Sequence, residues 1–148
     1  MPEQLIGPLP KRASIWWHEI SVVAGGARTI TIDTSSAFNH YVAQATPAIN
    51  NETSFSVLLD AGTYSFSRLG RTTTSLGMVT ITIDGVTVLT NKDWYSAALT
   101  RNVIKTTTGI VIPTSGVHVV RCVMASKNAS SSNYGFQQQR HWFFPATD

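Results

Sequence analysis

The chain is predicted to be all-β: an antiparallel jelly-roll β-sandwich with an extended Pro-rich N-terminal arm. Three observations predict this. Runs such as Phe55-Ser-Val-Leu-Leu59 and Gly77-Met-Val-Thr-Ile-Thr-Ile83 alternate apolar and hydroxyl residues with a period of two. Turn signals cut these runs at roughly 8–12-residue spacing, at Asp60-Ala-Gly62, Asp84-Gly85, Thr90-Asn-Lys-Asp93 and Pro113-Thr-Ser-Gly116. Only 13% of residues are charged, and the abundant Ser and Thr suit solvated strand faces.

In chain order, Pro2, Pro8 and Pro10 disfavour helix and central strand, so residues 1–14 read as an extended arm. Residues 15–148 read as one sandwich, large enough for its own core. Ile15-Trp16-Trp17 follows the basic pair Lys11-Arg12. Adjacent tryptophans on a strand point to opposite faces, so one enters the core and the other needs a second apolar surface. That surface is either a loop over an edge strand or a neighbouring subunit. Alternating runs at Trp17–Ala24 and Arg28–Asp33 flank Gly25-Gly26 and predict a hairpin. Ser36–Ala45 fits either a strand or a short capped helix.

Further strands are expected near 53–59, 62–70, 77–83, 86–90, 102–112, 117–126 and 134–144. Asp84-Gly85 predicts a type I′ turn. Thr72–Thr74, Thr106–Thr108 and Ser130–Ser132 read as loops or exposed edges. In Phe136–Phe144, strict alternation leaves neither face cleanly apolar, because Gln138 and Arg140 fall between Phe136 and Trp142. A bulge, or cover by another subunit, would reconcile this.

Composition excludes several functions. The net charge of +3 comes from scattered cations, with no stripe to track a phosphate backbone, so no nucleic-acid partner is expected. Cys122 is the single cysteine and reads as a small core residue. Neither a secretory leader nor an apolar stretch of membrane-spanning length is present, so no membrane partner is expected. Asn51-Glu-Thr53 and Asn128-Ala-Ser130 match the glycosylation pattern but read as loop polar residues.

No catalytic residues are expected. None of His18, His40, His118 and His141 lies beside a nucleophile-elbow pattern. Asp33, Asp60, Asp84 and Asp93 sit at predicted strand ends, where turn chemistry places Asp, and no spacing fits zinc or a calcium loop. No metal and no cofactor are therefore expected.

Asp60-Ala-Gly-Thr-Tyr-Ser-Phe66, Val79-Thr-Ile-Thr-Ile-Asp-Gly-Val86, Asp93-Trp-Tyr95, Thr114-Ser-Gly-Val-His-Val-Val-Arg121 and Lys127-Asn-Ala-Ser-Ser-Ser-Asn-Tyr134 occur in that order. This succession, over residues 54–144, resembles a jelly-roll module of tailed-bacteriophage structural proteins: tail fibres, spikes and head-decoration proteins. More distantly, it is similar to the β-sandwich of carbohydrate-binding modules. The resemblance implies a non-enzymatic virion protein on the particle surface, in a homo-oligomer with a trimer favoured. The short chain suits capsid decoration, with the major capsid protein or another virion protein as partner.

In that role Lys11, Arg12, Ile15, Trp16 and Trp17 would dock on the lattice, with Arg140 and Trp142 at an oligomer seam. The alternative is a carbohydrate-binding adhesin at a tail or fibre tip, with a cell-surface glycan as partner. Its contacts would be Asp93, Trp94, Tyr95 and Tyr134. Against this stands a reading of Trp94 as a buried corner plug.

Overall fold

Alternation becomes eleven strands in a computed structural model that describes residues 13–16, 21–24, 28–36, 40–44 and 46–146. They are β1 (Ala13–Trp16), β2 (Ser21–Ala24), β3 (Arg28–Ile32), β4 (His40–Gln44), β5 (Glu52–Leu59) and β6 (Gly62–Thr72). After these come β7 (Met78–Ile83), β8 (Val86–Asp93), β9 (Thr100–Ile112), β10 (Gly116–Ser126) and β11 (Gln137–Pro145). One sheet runs β3-β4-β11-β6-β9, with β1 also on β11; the other runs β2-β5-β10-β7-β8. All strand pairings are antiparallel. The fold is the all-β sandwich that the sequence predicts.

Alternation fills the space between the sheets. On β7, Val79, Ile81 and Ile83 are buried, and on β10, His118, Val120, Cys122 and Met124 are buried. Opposite them, the Phe66 and Phe143 rings stack with centroids 4.4 Å apart, and Phe55 lies 6.4 Å from Phe66. Each large apolar side chain closed off in this way contributes about 1.5–3 kcal/mol. Cys122 is 1% exposed, a core residue as expected. At the β7–β8 turn, Asp84 and Gly85 have φ of 49° and 82°, the double positive-φ signature of a type I′ turn.

Two expectations change. The hairpin around Gly25-Gly26 does not form: β2 pairs β5 in one sheet, while β3 pairs β4 in the other. Both runs alternate well, but the partner each meets is set by long-range pairing that a local pattern does not encode. Gly25 and Gly26 themselves lie outside the described residues. Within Ser36–Ala45, which fitted strand or helix, His40–Gln44 forms β4, and residues 37–39 and 45 lie outside the described residues.

The parity conflict in the last strand is resolved by a bulge. The β11–β6 register shifts between Gln138 and Arg140. Phe136 before the shift and His141 and Phe143 after it are all closed to solvent, although they differ in parity. One extra residue thus turns the second half of β11 over. Arg140 and Trp142 face away from the core, with the guanidinium 5.5 Å from the indole ring.

Candidate functional site: the loop end of the sandwich

At one end of the sandwich β8 finishes, β7 begins and β10 finishes, since Met78 pairs with Asp93 and also with Ser126. Three connections meet there: 73–77, 94–99 and 127–136. Backbone bonds tie them together. Gly77 N donates to Gly135 O at 3.0 Å, Gly135 N to Ser75 O at 2.8 Å and Ser132 N to Thr74 O at 2.9 Å. Ser96 N donates to Thr73 O at 3.2 Å. Gly135 is required here, because a Cβ at that position would lie 2.6 Å from Ser75 O.

Ser131 is the knot. Its hydroxyl is buried, 2.7 Å from Leu76 O, 2.9 Å from Asn133 O and 3.2 Å from Thr74 O. Instead of lying in an exposed polar tract, the hydroxyl sits among three carbonyls and can donate its single proton to one of them at a time. Asp93 joins two of the loops. Its Oδ1 accepts from Tyr95 N at 2.8 Å and its Oδ2 from Asn128 Nδ2 at 2.7 Å. Lys127 Nζ donates to Ser131 O at 2.8 Å and stands 5.5 Å from the Tyr134 ring. Asp93, Tyr95, Lys127, Asn128, Asn133 and Tyr134 are all half-buried. The result is a rigid rim with two reachable aromatic side chains among amide, ammonium and carboxylate groups.

Trp94 is not part of that rim. It is 2% exposed, with the Arg68 guanidinium 5.0 Å and Lys105 Nζ 5.2 Å from its ring centroid. It plugs the corner, the reading that stood against a sugar contact, and leaves no ring face exposed. Arg68 was legible in the sequence only as a charge in a strand, yet it is completely buried. Burial lowers its pKa to about 10, leaving it charged at neutral pH. Burial, and next the charge of Lys92, also lower Lys105.

A second polar cluster holds the β3–β4 turn against β6 and β9. Arg71 Nη1 donates to Asp33 Oδ2 at 2.9 Å, and Arg101 Nε lies 3.0 and 2.9 Å from the two carboxylate oxygens. Burial alone would raise the Asp33 carboxyl. Hydrogen bonds from Arg101 and Ser35, with the charges of Arg101 and Arg71, outweigh it and hold the carboxyl below its usual range.

At the opposite end, an apolar cavity of about 200 Å³ is lined by Ile83, Val86, Val88, Val111, Pro113 and His118, among others. His118 Nδ1 lies 2.6 Å from Asp84 Oδ2 and its Nε2 2.9 Å from Thr114 O. Ser115 Oγ instead accepts from Ala61 N. The imidazole therefore braces a turn and meets no hydroxyl nucleophile. Among the described residues, no three His, Cys, Asp or Glu side chains converge on a point that could hold a metal.

Of the docking residues, Lys11, Arg12 and Trp17 lie outside the described residues. Ile15 and Trp16 are in β1, where their backbones pair with His141 and Arg140. Arg140 and Trp142 come together on the outer face, away from the loop end. Both glycosylation-pattern amides are engaged: Asn51 is 5% exposed with Nδ2 donating to Thr46 O at 2.7 Å, and Asn128 is held by Asp93.

No protein-family model and no curated protein sequence matches the chain. Solved structures do. A Paenibacillus xanthan lyase superposes with a TM-score of 0.74 at 19% identity over 94% of this chain, which corresponds to only 13% of the lyase. The CBM36-1 domain of a multidomain xylanase from the hindgut metagenome of Trinervitermes trinervoides gives 0.65 at 15% identity, covering 93% of this chain and 99% of that domain. The carbohydrate-binding module CBM36 in complex with calcium and xylotriose gives 0.58 at 19% identity, covering 88% of this chain and 98% of the module. Two antiparallel sheets, bridged by the loop-end knot, form a jelly-roll β-sandwich like that of carbohydrate-binding modules.

Proposed function

We propose that this domain is a non-catalytic glycan-binding module whose contact surface is the loop end. Tyr95 and Tyr134 would meet the apolar faces of sugar rings, while Asp93, Lys127, Asn128 and Asn133 would engage hydroxyls. The observation that carries this reading is the pinned rim itself, with two half-exposed tyrosines on loops held by Ser131 and Gly135. A preformed site loses little conformational entropy on binding. The likeness to whole carbohydrate-binding modules supports the reading at the level of fold.

One of those modules holds calcium with its xylotriose. Here both Asp93 oxygens already accept protein donors and no acidic cluster forms among the described residues. A carboxylate-built calcium site therefore does not fit these loops, and the cation of the rim is Lys127.

The virion surface is the setting that the sequence resemblance supplies, and the solved structures named above bring no support to it. Within that setting, a tail or fibre tip suits a glycan binder better than head decoration. Decoration would use the arm and the outer face of Arg140 and Trp142 instead of the loop end. Ala13 and Ser14, read from the sequence as the end of the arm, belong to β1, so deleting residues 1–12 separates the two: decoration loses particle binding, whereas sugar affinity survives.

The test is a glycan array followed by calorimetric titration of the best ligand. Aromatic contacts of this kind contribute about 0.5–1.5 kcal/mol, so Tyr95→Ala and Tyr134→Ala should each weaken binding by about 2- to 13-fold. His118→Ala, at the far end, should leave affinity unchanged. Absence of binding to every glycan, or indifference to both tyrosine substitutions, would overturn the proposal.

A further inference from the structure

Arg68 stands inside the sandwich with a charge that the protein does not pair. It lies on β6 between its cross-strand neighbours His141 and Lys105, and its Nε, Nη1 and Nη2 are all buried without a hydrogen-bond partner. Trp94 Nε1 and both ring nitrogens of His141 are buried and unpartnered as well. The guanidinium offers five N–H donors, the indole one and a neutral imidazole one. Among the described residues, the buried acceptors left unpartnered are one imidazole nitrogen and the Oε1 atoms of Gln137, Gln138 and Gln139, all neutral, so none supplies a counter-charge.

The neighbouring acids do not supply the counter-charge. Glu52 accepts from Arg121, and Asp93 accepts from Tyr95 and Asn128. Cys122 is a thiol and not a thiolate, because burial raises its pKa above the usual value. The cation–π contact with Trp94 offsets part of the desolvation of the guanidinium. It leaves the donors themselves unsatisfied, and an isolated buried charge is costly.

We propose that the interior of this sandwich binds one small monovalent anion of halide size against Arg68, beneath Trp94. The unit charge follows from the single unpaired guanidinium. The small size follows from the enclosure: Phe66, Trp94, Cys122 and His141 are each no more than 2% exposed. Entry lies at the β9 edge, where half-buried Lys105 stands over the same indole ring and adds positive potential. The site is independent of the glycan proposal and needs no sugar in its test.

The experiment uses the full chain in two measurements. Crystals grown in sodium bromide should show an anomalous peak within hydrogen-bond distance of the Arg68 guanidinium. Thermal unfolding at constant ionic strength, with sodium gluconate exchanged for sodium chloride, should raise Tm with the logarithm of chloride concentration. Arg68→Met should abolish that rise, and Lys105→Met should leave it in place. Density at Arg68 without anomalous signal would mean water and overturn the proposal. So would a Tm indifferent to chloride, or a chloride response that persists in Arg68→Met. Should Arg68→Met fail to fold, the bromide peak in the unaltered protein decides alone.

Discussion

The two sheets meet the same interior with different chemistry. The β5, β10 and β7 strands turn Phe55, Val57, Ile81, Val120 and Met124 inward, nearly all aliphatic. The opposing β6 and β11 strands mix Phe66 and Phe143 with Arg68 and His141. In the first sheet these apolar side chains contribute by being removed from water, and the buried His118 of β10 has Asp84 and Thr114 O as partners. In the second, Arg68 and His141 oppose folding unless something accepts from them. Stability and specialisation are thus divided between the layers, with the polar layer reaching the loop end through Trp94.

The strongest way to break that comparison is Ile81→Ala, at a position that is 0% exposed. A buried aliphatic truncation of this kind costs about 2–5 kcal/mol, to be read from guanidinium denaturation. A loss below about 1 kcal/mol would mean that the aliphatic sheet does not dominate. Gly135→Ala comes next, at about 1–3 kcal/mol, since its Cβ would collide with backbone Ser75 O and Leu76 Cδ2. If denaturation shows no loss there, the loop end is softer than its hydrogen bonds imply.

The polar layer can be sharpened by pH. Burial, and next the charge of Arg68, hold the His141 imidazole well below its usual value, so the folded state keeps it neutral. The unfolded chain takes up that proton below about pH 6.5. Its contribution is therefore complete above that pH and falls as pH drops toward the folded-state value, by up to about 1.4 kcal/mol per pH unit. His141→Leu should flatten this slope between pH 6.5 and 5.5, and equal slopes for both proteins would refute the assignment. The smallest effect belongs to Arg121→Ala on the solvated face, where the ion pair with Glu52 is half exposed. It should cost less than about 1 kcal/mol and less still at high salt.

Much of the fold was legible in local pattern, and the exceptions have physical causes. Met78–Ile83 alternates without interruption and Asp84-Gly85 demands a tight turn, so β7 and the start of β8 could be drawn from the letters, whereas Thr90-Asn-Lys-Asp93, read as a turn, continues β8. The β2 and β3 runs look as regular, yet they part to different sheets, because pairing partners lie far away in the chain. Tyr64, Phe66 and Arg68 share one parity, so strict alternation does point Arg68 inward. Its charge argues the other way, and only the structure decides. Ser131 is hidden among identical neighbours: nothing distinguishes it from Ser130 and Ser132 until three carbonyls are seen around it. The rim residues Asp93, Tyr95 and Tyr134 could be named in advance, whereas Asn128 and Lys127 gain meaning from loops that meet only after folding.

The bulge in β11 makes the chain unequally tolerant of changes in length. Removing Gln139, the extra residue, would put Phe136, Gln138, His141 and Phe143 on one parity and keep their facing, whereas removing Trp142 would turn Phe143 out of the interior and Phe144 into it. The same deletion in the exposed Ala97–Leu99 segment would shorten a connection and leave every strand's facing intact. Among related chains, gaps should therefore accumulate at Gln139 and in that connection and be purged from β11 beyond the bulge.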